Sequence, residues 1–128
     1  MNFSAMKHVR SERDPFSLMR MVKTNVINAY ELAKACYIFK AKKYFCVSTD
    51  KAANPENLMG ASKRAMEILL LHAEQIPHLN LARFANVAYS DGSLLAGFQK
   101  RFEKRQPISA PNDIQRYFIS HQQAASLC

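Results

Sequence analysis

The 128-residue chain has no apolar run that could cross a membrane: the longest, Ile68-Leu69-Leu70-Leu71, is far short of the about 20 residues a spanning helix takes. An integral membrane protein is therefore not expected. Nor does the N-terminus read as a secretion signal, because Met1 to Met6 leads into a polar, charged stretch instead of an apolar core. Cysteine is sparse. Cys36, Cys46 and Cys128 are widely spaced, with no Cys-x-x-Cys pair and no histidine cluster to match, which excludes a zinc site and a disulfide framework and reads as reduced thiols in a cytoplasmic protein. No metal is expected. Glycine is scarcer in effect than in number: Gly60, Gly92 and Gly97 are the three present, and none follows an N-terminal strand and opens a helix, as the turn that cradles a dinucleotide pyrophosphate must. Acidic residues number 10 against 18 lysines and arginines, for a net charge of +8.

What is present suffices for one domain with a core, since 48% of the residues are hydrophobic. Twelve of the eighteen basic residues, but five of the ten acidic ones, fall in residues 1–64. Arg10, Arg13, Arg20, Lys23, Lys34, Lys40, Lys42 and Lys43 are spread along one region without the interleaved aromatics of a base-stacking platform. They read as a solvated face, and no nucleic-acid partner is expected. A helix at residues 16–40 used as a docking surface is the alternative for a non-catalytic interaction module.

Asp14-Pro15 reads as a helix start, with Asp as N-cap and Pro at the first helical position. Leu18, Val22, Val26, Ala29, Ala33 and Cys36 then recur at spacings of three and four, which predicts a helix to about Phe39. Tyr44 to Val47 is a short run of aromatic and β-branched character, read as a buried parallel strand that ends at Ser48-Thr49-Asp50. A second helix is expected from about Met59 to Gln75, with Ala65, Ile68, Leu69 and His72 on its apolar side and Pro77 as its stop. A strand over Leu79 to Val87, a helix over Leu94 to Lys104, a turn-rich linker from Pro107 to Pro111, the run Tyr117-Phe118-Ile119 and a short terminal helix complete the order. Strand and helix alternate, so the class is α/β with a parallel sheet.

The densest chemistry lies in Ser48-Thr49-Asp50-Lys51, followed by Met59-Gly60-Ala61-Ser62-Lys63-Arg64. In an open α/β sheet, ligands bind beyond the carboxyl ends of the strands, where the first four would sit. A hydroxyl, a carboxylate and an ammonium side by side are a kit for proton transfer. Lys63 follows Met59 by four residues and shares its helix face. The same residues also suit a capping turn flanked by exposed lysines.

The run from Ser48 through Arg64 resembles the active-site segment of the extended short-chain dehydrogenase/reductases, and among them the UDP-N-acetylglucosamine 4,6-dehydratases of polysaccharide biosynthesis. Ala5-Met6-Lys7-His8-Val9, Lys23-Thr24-Asn25-Val26, Arg83-Phe84-Ala85-Asn86-Val87 with Gly92-Ser93, and Arg116-Tyr117-Phe118 are similar to further segments of that family, in the same order. The resemblance implies a Rossmann-like parallel sheet forming the carboxyl-terminal half of the family's fold. Residues 1–128 would be one partial NAD(P)-binding domain, with substrate-binding elements in about 88–128. It implies NADP or NAD as cofactor and a UDP-sugar as substrate. The nicotinamide would take a hydride from C4 of the sugar, water would leave across C5 and C6, and the hydride would return to C6.

By this analogy Thr49 polarises the C4 oxygen, Asp50 is the acid for the departing C6 hydroxyl and Lys51 the base at C5. Met59 stands where the family's catalytic tyrosine is found, and a thioether cannot deprotonate a hydroxyl; the larger dehydratases of the group share this methionine. Lys63 holds the nicotinamide ribose, and Lys7, Asn25, Ser48 and Phe84 join it at the cofactor. Asn86, Ser93 and Arg116 meet the nucleotide diphosphate. Alone, Asn86 reads as a strand-end cap, Arg116 as a surface arginine, and Phe84 and Met59 as core residues. Because the Gly-rich turn is missing, the chain is expected to be a fragment, inactive alone, from an intact homo-oligomer. A non-catalytic remnant and a nucleotide-sugar epimerase are the alternatives.

Overall fold

The computed structural model describes residues 1–7, 13–73, 76, 78–110 and 112–128. The expected helix stop at Pro77, the end of the second helix at Gln75, the linker's last residue Pro111, and His8-Val9 lie outside the described residues. Two compact units result, residues 1–83 and 84–128.

In the first unit, α1 (Pro15–Val22) starts as expected: the Asp14 carboxylate accepts from Ser17 N at 2.8 Å and Pro15 takes the first helical position. The helix runs on through a π-helical turn, Lys23–Ile27, into α2 (Asn28–Ile38). Its innermost residues are Met21, Asn25, Ala29 and Ala33, a stripe at four-residue spacing that includes an asparagine. The expected apolar line of Leu18, Val22, Val26 and Cys36 flanks this stripe and is half-buried. The helix ends with Lys40 in the left-handed region, its N–H bonded to Tyr37 O and that of Ala41 to Cys36 O.

Strand β1 (Tyr44–Thr49) alternates buried and half-buried residues and lies beside β2 (Leu79–Phe84) in a two-stranded sheet. On its other side Asn2 forms a parallel bridge with Cys46. The core gathers Ala29 and Ala33 of α2, Tyr44 and Cys46 of β1, and Met66 and Leu70 of α3 (Leu58–His72), with Leu79 and Leu81 of β2 against it. The alanines let α2 come close to the sheet. The Tyr44 hydroxyl, buried among them, donates to Ala29 O and accepts from Asn2 Nδ2, each at 3.1 Å.

The face of α3 is the main departure from the sequence reading. Ala65, Ile68, Leu69 and His72 are exposed, and the helix buries Met59, Ser62, Lys63, Met66, Glu67 and Leu70 instead. Apolar periodicity fails here because Ser62, Lys63 and Glu67 among the inward residues are polar, Ser62 matched by Asn25 and Glu67 by Arg83.

The second unit holds β3 (Asn86–Val87) paired in parallel with β4 (Phe118–Ile119), α4 (Leu94–Glu103) capped by Ser93, and α5 (His121–Ser126), which Ser120 and Gln123 close with a capping box. The strand expected over Leu79 to Val87 is thus divided at Ala85.

Asn25 ties the π-turn to the rest of its unit. Its Oδ1 accepts from Met6 N at 2.8 Å, and its Nδ2 donates to Met6 O and Ser62 Oγ, both at 3.0 Å. Asn25→Ala leaves these buried groups unpaired, so it should lower the unfolding free energy by about 2–4 kcal/mol, read from urea titration.

Candidate functional site

The carboxyl end of β1 and the start of α3 meet at Gly60. A Cβ there would stand 2.8 Å from the Lys51 carbonyl oxygen and 3.4 Å from Pro55 Cα, so only glycine lets the helix come so close to the 50–55 turn. Asn57 caps α3 by accepting from Gly60 N at 2.9 Å. Thr49 caps the short turn Asp50–Ala52 in the same way, accepting from Lys51 N.

This turn presents three functional groups together. Thr49 Oγ1 donates to Asp50 Oδ1 at 2.9 Å, and Lys51 Nζ reaches the same oxygen at 3.2 Å. Burial pushes the Asp50 carboxyl up, but the bonds from Thr49 and Lys51 and the lysine charge outweigh it and hold the group below its ordinary value. At neutral pH the pair is a carboxylate beside an ammonium.

Met59 and Lys63 lie buried on α3 one helical turn apart. Lys63 Nζ finds one acceptor among the described residues, the weak thioether Met66 Sδ at 3.4 Å. Burial depresses its pKa, with Cys46 and Glu67 partly opposing. Ser48 Oγ is buried as well and has no hydrogen-bond partner among the described residues; it stands near enough to the Glu67 carboxylate to help lower that group's pKa without reaching bonding geometry. An ammonium with only a sulfur to donate to and an unbonded hydroxyl are groups that a polyhydroxylated ligand would satisfy.

Of the remaining expected site residues, Asn25 is fully buried and spends its polar atoms on Met6 and Ser62, and Lys7 is exposed. Phe84, Asn86, Ser93 and Arg116 belong to the second unit. There Asn86 Nδ2 donates to Tyr117 O at 3.2 Å, the Ser93 hydroxyl caps α4 by accepting from Ala96 N at 3.3 Å, Arg116 is exposed and Phe84 half-buried.

Sequence reasoning missed Glu67 and Arg83. Arg83 of β2 grips Glu67 through Nε at 2.9 Å and Nη2 at 2.6 Å, and Arg64 Nη1 lies 3.4 Å from the same carboxylate. The signal was the four-residue step from Lys63 to Glu67, which puts both on one face. Burial pushes Glu67 up, but Arg83, Ser48 and Arg64 hold it below its usual value of 4.5.

The sequence family described as polysaccharide biosynthesis protein matches residues 1–128. The probable polysaccharide biosynthesis protein EpsC of Bacillus subtilis is 33% identical over 128 residues, covering 97% of this chain and 21% of EpsC. The UDP-N-acetylglucosamine 4,6-dehydratase (inverting) of Campylobacter jejuni is 36% identical over 126 residues, 91% of this chain and 36% of the enzyme. The chain therefore spans well under half the length of these relatives. Among solved structures, Pen from Bacillus thuringiensis superposes with a TM-score of 0.83 at 30% identity, over 96% of this chain and 39% of Pen.

Two outcomes follow from the geometry. Gly60→Ala should cost about 1–3 kcal/mol by driving α3 off the Lys51 carbonyl, whereas Gly97→Ala, where a Cβ meets nothing within 4 Å, should stabilise by about 0.5–1 kcal/mol; denaturant titration of both variants separates the effects. Because the folded pKa of Glu67 is depressed, its contribution to stability is present above pH 4.5 and lost as pH falls through the folded value. Unfolding midpoints taken from pH 7 downward should therefore fall less steeply in Glu67→Gln than in the native chain.

Proposed function

The chain belongs to the polysaccharide biosynthesis protein family and has the Rossmann-like fold of the short-chain dehydrogenase/reductases, and from that premise we propose that it carries the proton-transfer end of a nucleotide-sugar 4,6-dehydratase. The substrate in this reading is a UDP-linked N-acetylhexosamine such as UDP-N-acetylglucosamine, the activity of the Campylobacter relative. The observation that carries it is the Thr49-Asp50-Lys51 cluster at the turn that packs on the start of α3, the helix that buries Lys63 with a thioether as its acceptor among the described residues.

Lys63 and Ser48 suit a nicotinamide ribose and its neighbouring carboxamide, and Phe84 fits the role of a flat wall for the ring. NADP or NAD held there would supply the hydride chemistry, oxidation at C4 of the sugar and reduction at C6. With C4 at the ketone level, the C5 proton becomes acidic and the chain's own groups act. The resting pair is charged in the wrong sense for elimination: Lys51 is an ammonium and Asp50 a carboxylate. One proton passing from Lys51 Nζ to Asp50 Oδ1 along their 3.2 Å contact leaves a free amine to take the C5 proton and a carboxylic acid to protonate the departing C6 hydroxyl. Loss of water then restores ammonium and carboxylate; when hydride returns to C6 the Lys51 ammonium would protonate C5 and be recharged, by way of solvent, by the one proton the C4 hydroxyl released on oxidation, so the pair ends as it began. Thr49 steadies the carboxylate and donates to the C4 oxygen as substrate displaces it. Met59 contributes bulk and no proton. Asn86, Ser93 and Arg116 take the diphosphate, Arg116 by a bidentate contact, and Lys7 and Asn25 support the cofactor end.

Residues 1–128 form one partial nucleotide-binding domain in this reading, with substrate-contacting elements in about 88–128. Homo-oligomer formation by the intact protein is supported by large apolar residues left exposed on the helices, among them Phe16, Met19, Ile68 and Leu69. A cytoplasmic location accords with three free thiols. No helix among the described residues is long and apolar enough to cross a membrane.

Calorimetric titration with NADP and then UDP-N-acetylglucosamine, followed by an assay with the Gly-rich segment supplied in trans, tests the reading. Turnover should appear only with that segment present and fall about 100-fold or more in Lys51→Ala. Turnover indifferent to Lys51, or a complemented protein that binds neither ligand, sinks the dehydratase reading in favour of a non-catalytic module.

A further inference from the structure

Glu67 is a buried titratable group that the chemistry above does not use. It follows Lys63 by one helical turn on the inward face of α3, and the two residues retain 2% and 4% exposure. An ammonium in such a place needs an anion near it or it gives up its proton. The groups facing Lys63 are Cys46 from β1 and Met66 and Glu67 from its own helix. Burial pushes the Cys46 thiol up, so it is neutral at physiological pH, and Met66 carries no charge. Glu67 is thus the anion among the described residues that face Lys63.

Arg83 from β2 binds both carboxylate oxygens and Arg64 approaches one of them. Both guanidinium side chains are 40% or more exposed, and solvent screens their charge. The Glu67 side chain, at 3%, sets its field into the dry interior. The arginines fix the carboxylate in place, and Arg83 in addition draws off part of its field.

We propose that Glu67 is a positioning residue, the clamped counter-charge that keeps Lys63 Nζ an ammonium and so a hydrogen-bond donor to a ligand hydroxyl within the buried layer between α3 and β1. The inference rests on Lys63 being the ligand-holding lysine of the proposed site, and it assigns to Glu67 and Arg83 a place in that site's function. It also fixes a sign. Removing the Glu67 charge weakens the hold of Lys63 on its proton, whereas removing Arg83 frees the carboxylate to act on Lys63 more strongly. A purely structural ion pair would, on loss of either partner, disturb Lys63 in the same direction.

The test is a pH titration of the Lys63 side-chain carbon and nitrogen resonances by NMR in the 128-residue chain, with Glu67→Gln and Arg83→Gln, repeated in a Cys46→Ala background to remove the thiol's own titration. No cofactor or sugar is present, so the outcome stands apart from the turnover assay above. In Glu67→Gln the charged-to-neutral ratio of Lys63 at a fixed pH in its titration range should fall on the order of tenfold. In Arg83→Gln the ratio should rise. An unchanged Lys63 titration in folded Glu67→Gln, or a fall in both variants, overturns the proposal. If Glu67→Gln does not fold, Arg83→Gln decides alone: a rise supports the counter-charge and anything else refutes it.

Discussion

A helix that buries a serine, a lysine and a glutamate must be met by polar partners on every side, and α3 draws them from elements far apart in sequence. Ser62 receives Asn25 from the π-turn and donates to Met59 O at 2.8 Å, while Glu67 is held by Arg83 from β2. A buried polar group without a partner costs as much as a whole hydrogen bond or more, so these pairings fix the rotation of α3 more sharply than greasy contacts would. Once α3 is set, Gly60 meets the Lys51 carbonyl and Lys63 is buried with Met66 as its acceptor. The site is thus a by-product of how one helix solves its own solvation problem.

Strength is distributed unevenly across these groups. The Glu67–Arg83 contact is short, two-pronged and shielded on the carboxylate side, the arrangement in which an ion pair resists loss of either member. The Asp50–Lys51 contact is half-exposed and single, worth little to the fold. That difference suits the roles proposed above: a pair that exchanges a proton would gain from being loosely held, and a pair that keeps a charge in place would gain from being rigid.

Much of the fold was legible in the sequence. Asp14-Pro15 opened α1, the aromatic run at Tyr44 became β1, and the Ser48 to Lys51 segment fell at a strand's carboxyl end, each because a local chemical rule dictates it. The inward face of α3 was not legible. Ile68, Leu69 and His72 looked like the buried side since periodicity counts apolar residues, whereas the actual face pairs Ser62 with a residue 37 positions away and Glu67 with one 16 positions away. Such long-range satisfaction leaves no local mark. The clustering of Thr49, Asp50 and Lys51 could be read for the converse reason, that the three residues are consecutive.

The π-turn at Lys23–Ile27 carries a consequence for chain length. Its closing bond runs from Asn28 N–H to Lys23 O, five residues apart where an α-helix uses four. The turn therefore stores one residue more than a regular helix would at that point, and everything beyond it is rotated by about 100°. Losing one residue there other than Asn25 would restore a regular helix and leave Ala29 and Ala33 still facing Tyr44. The extra residue is thus slack for the helix as a whole and a requirement only locally, where the turn sets Asn25 against Ser62.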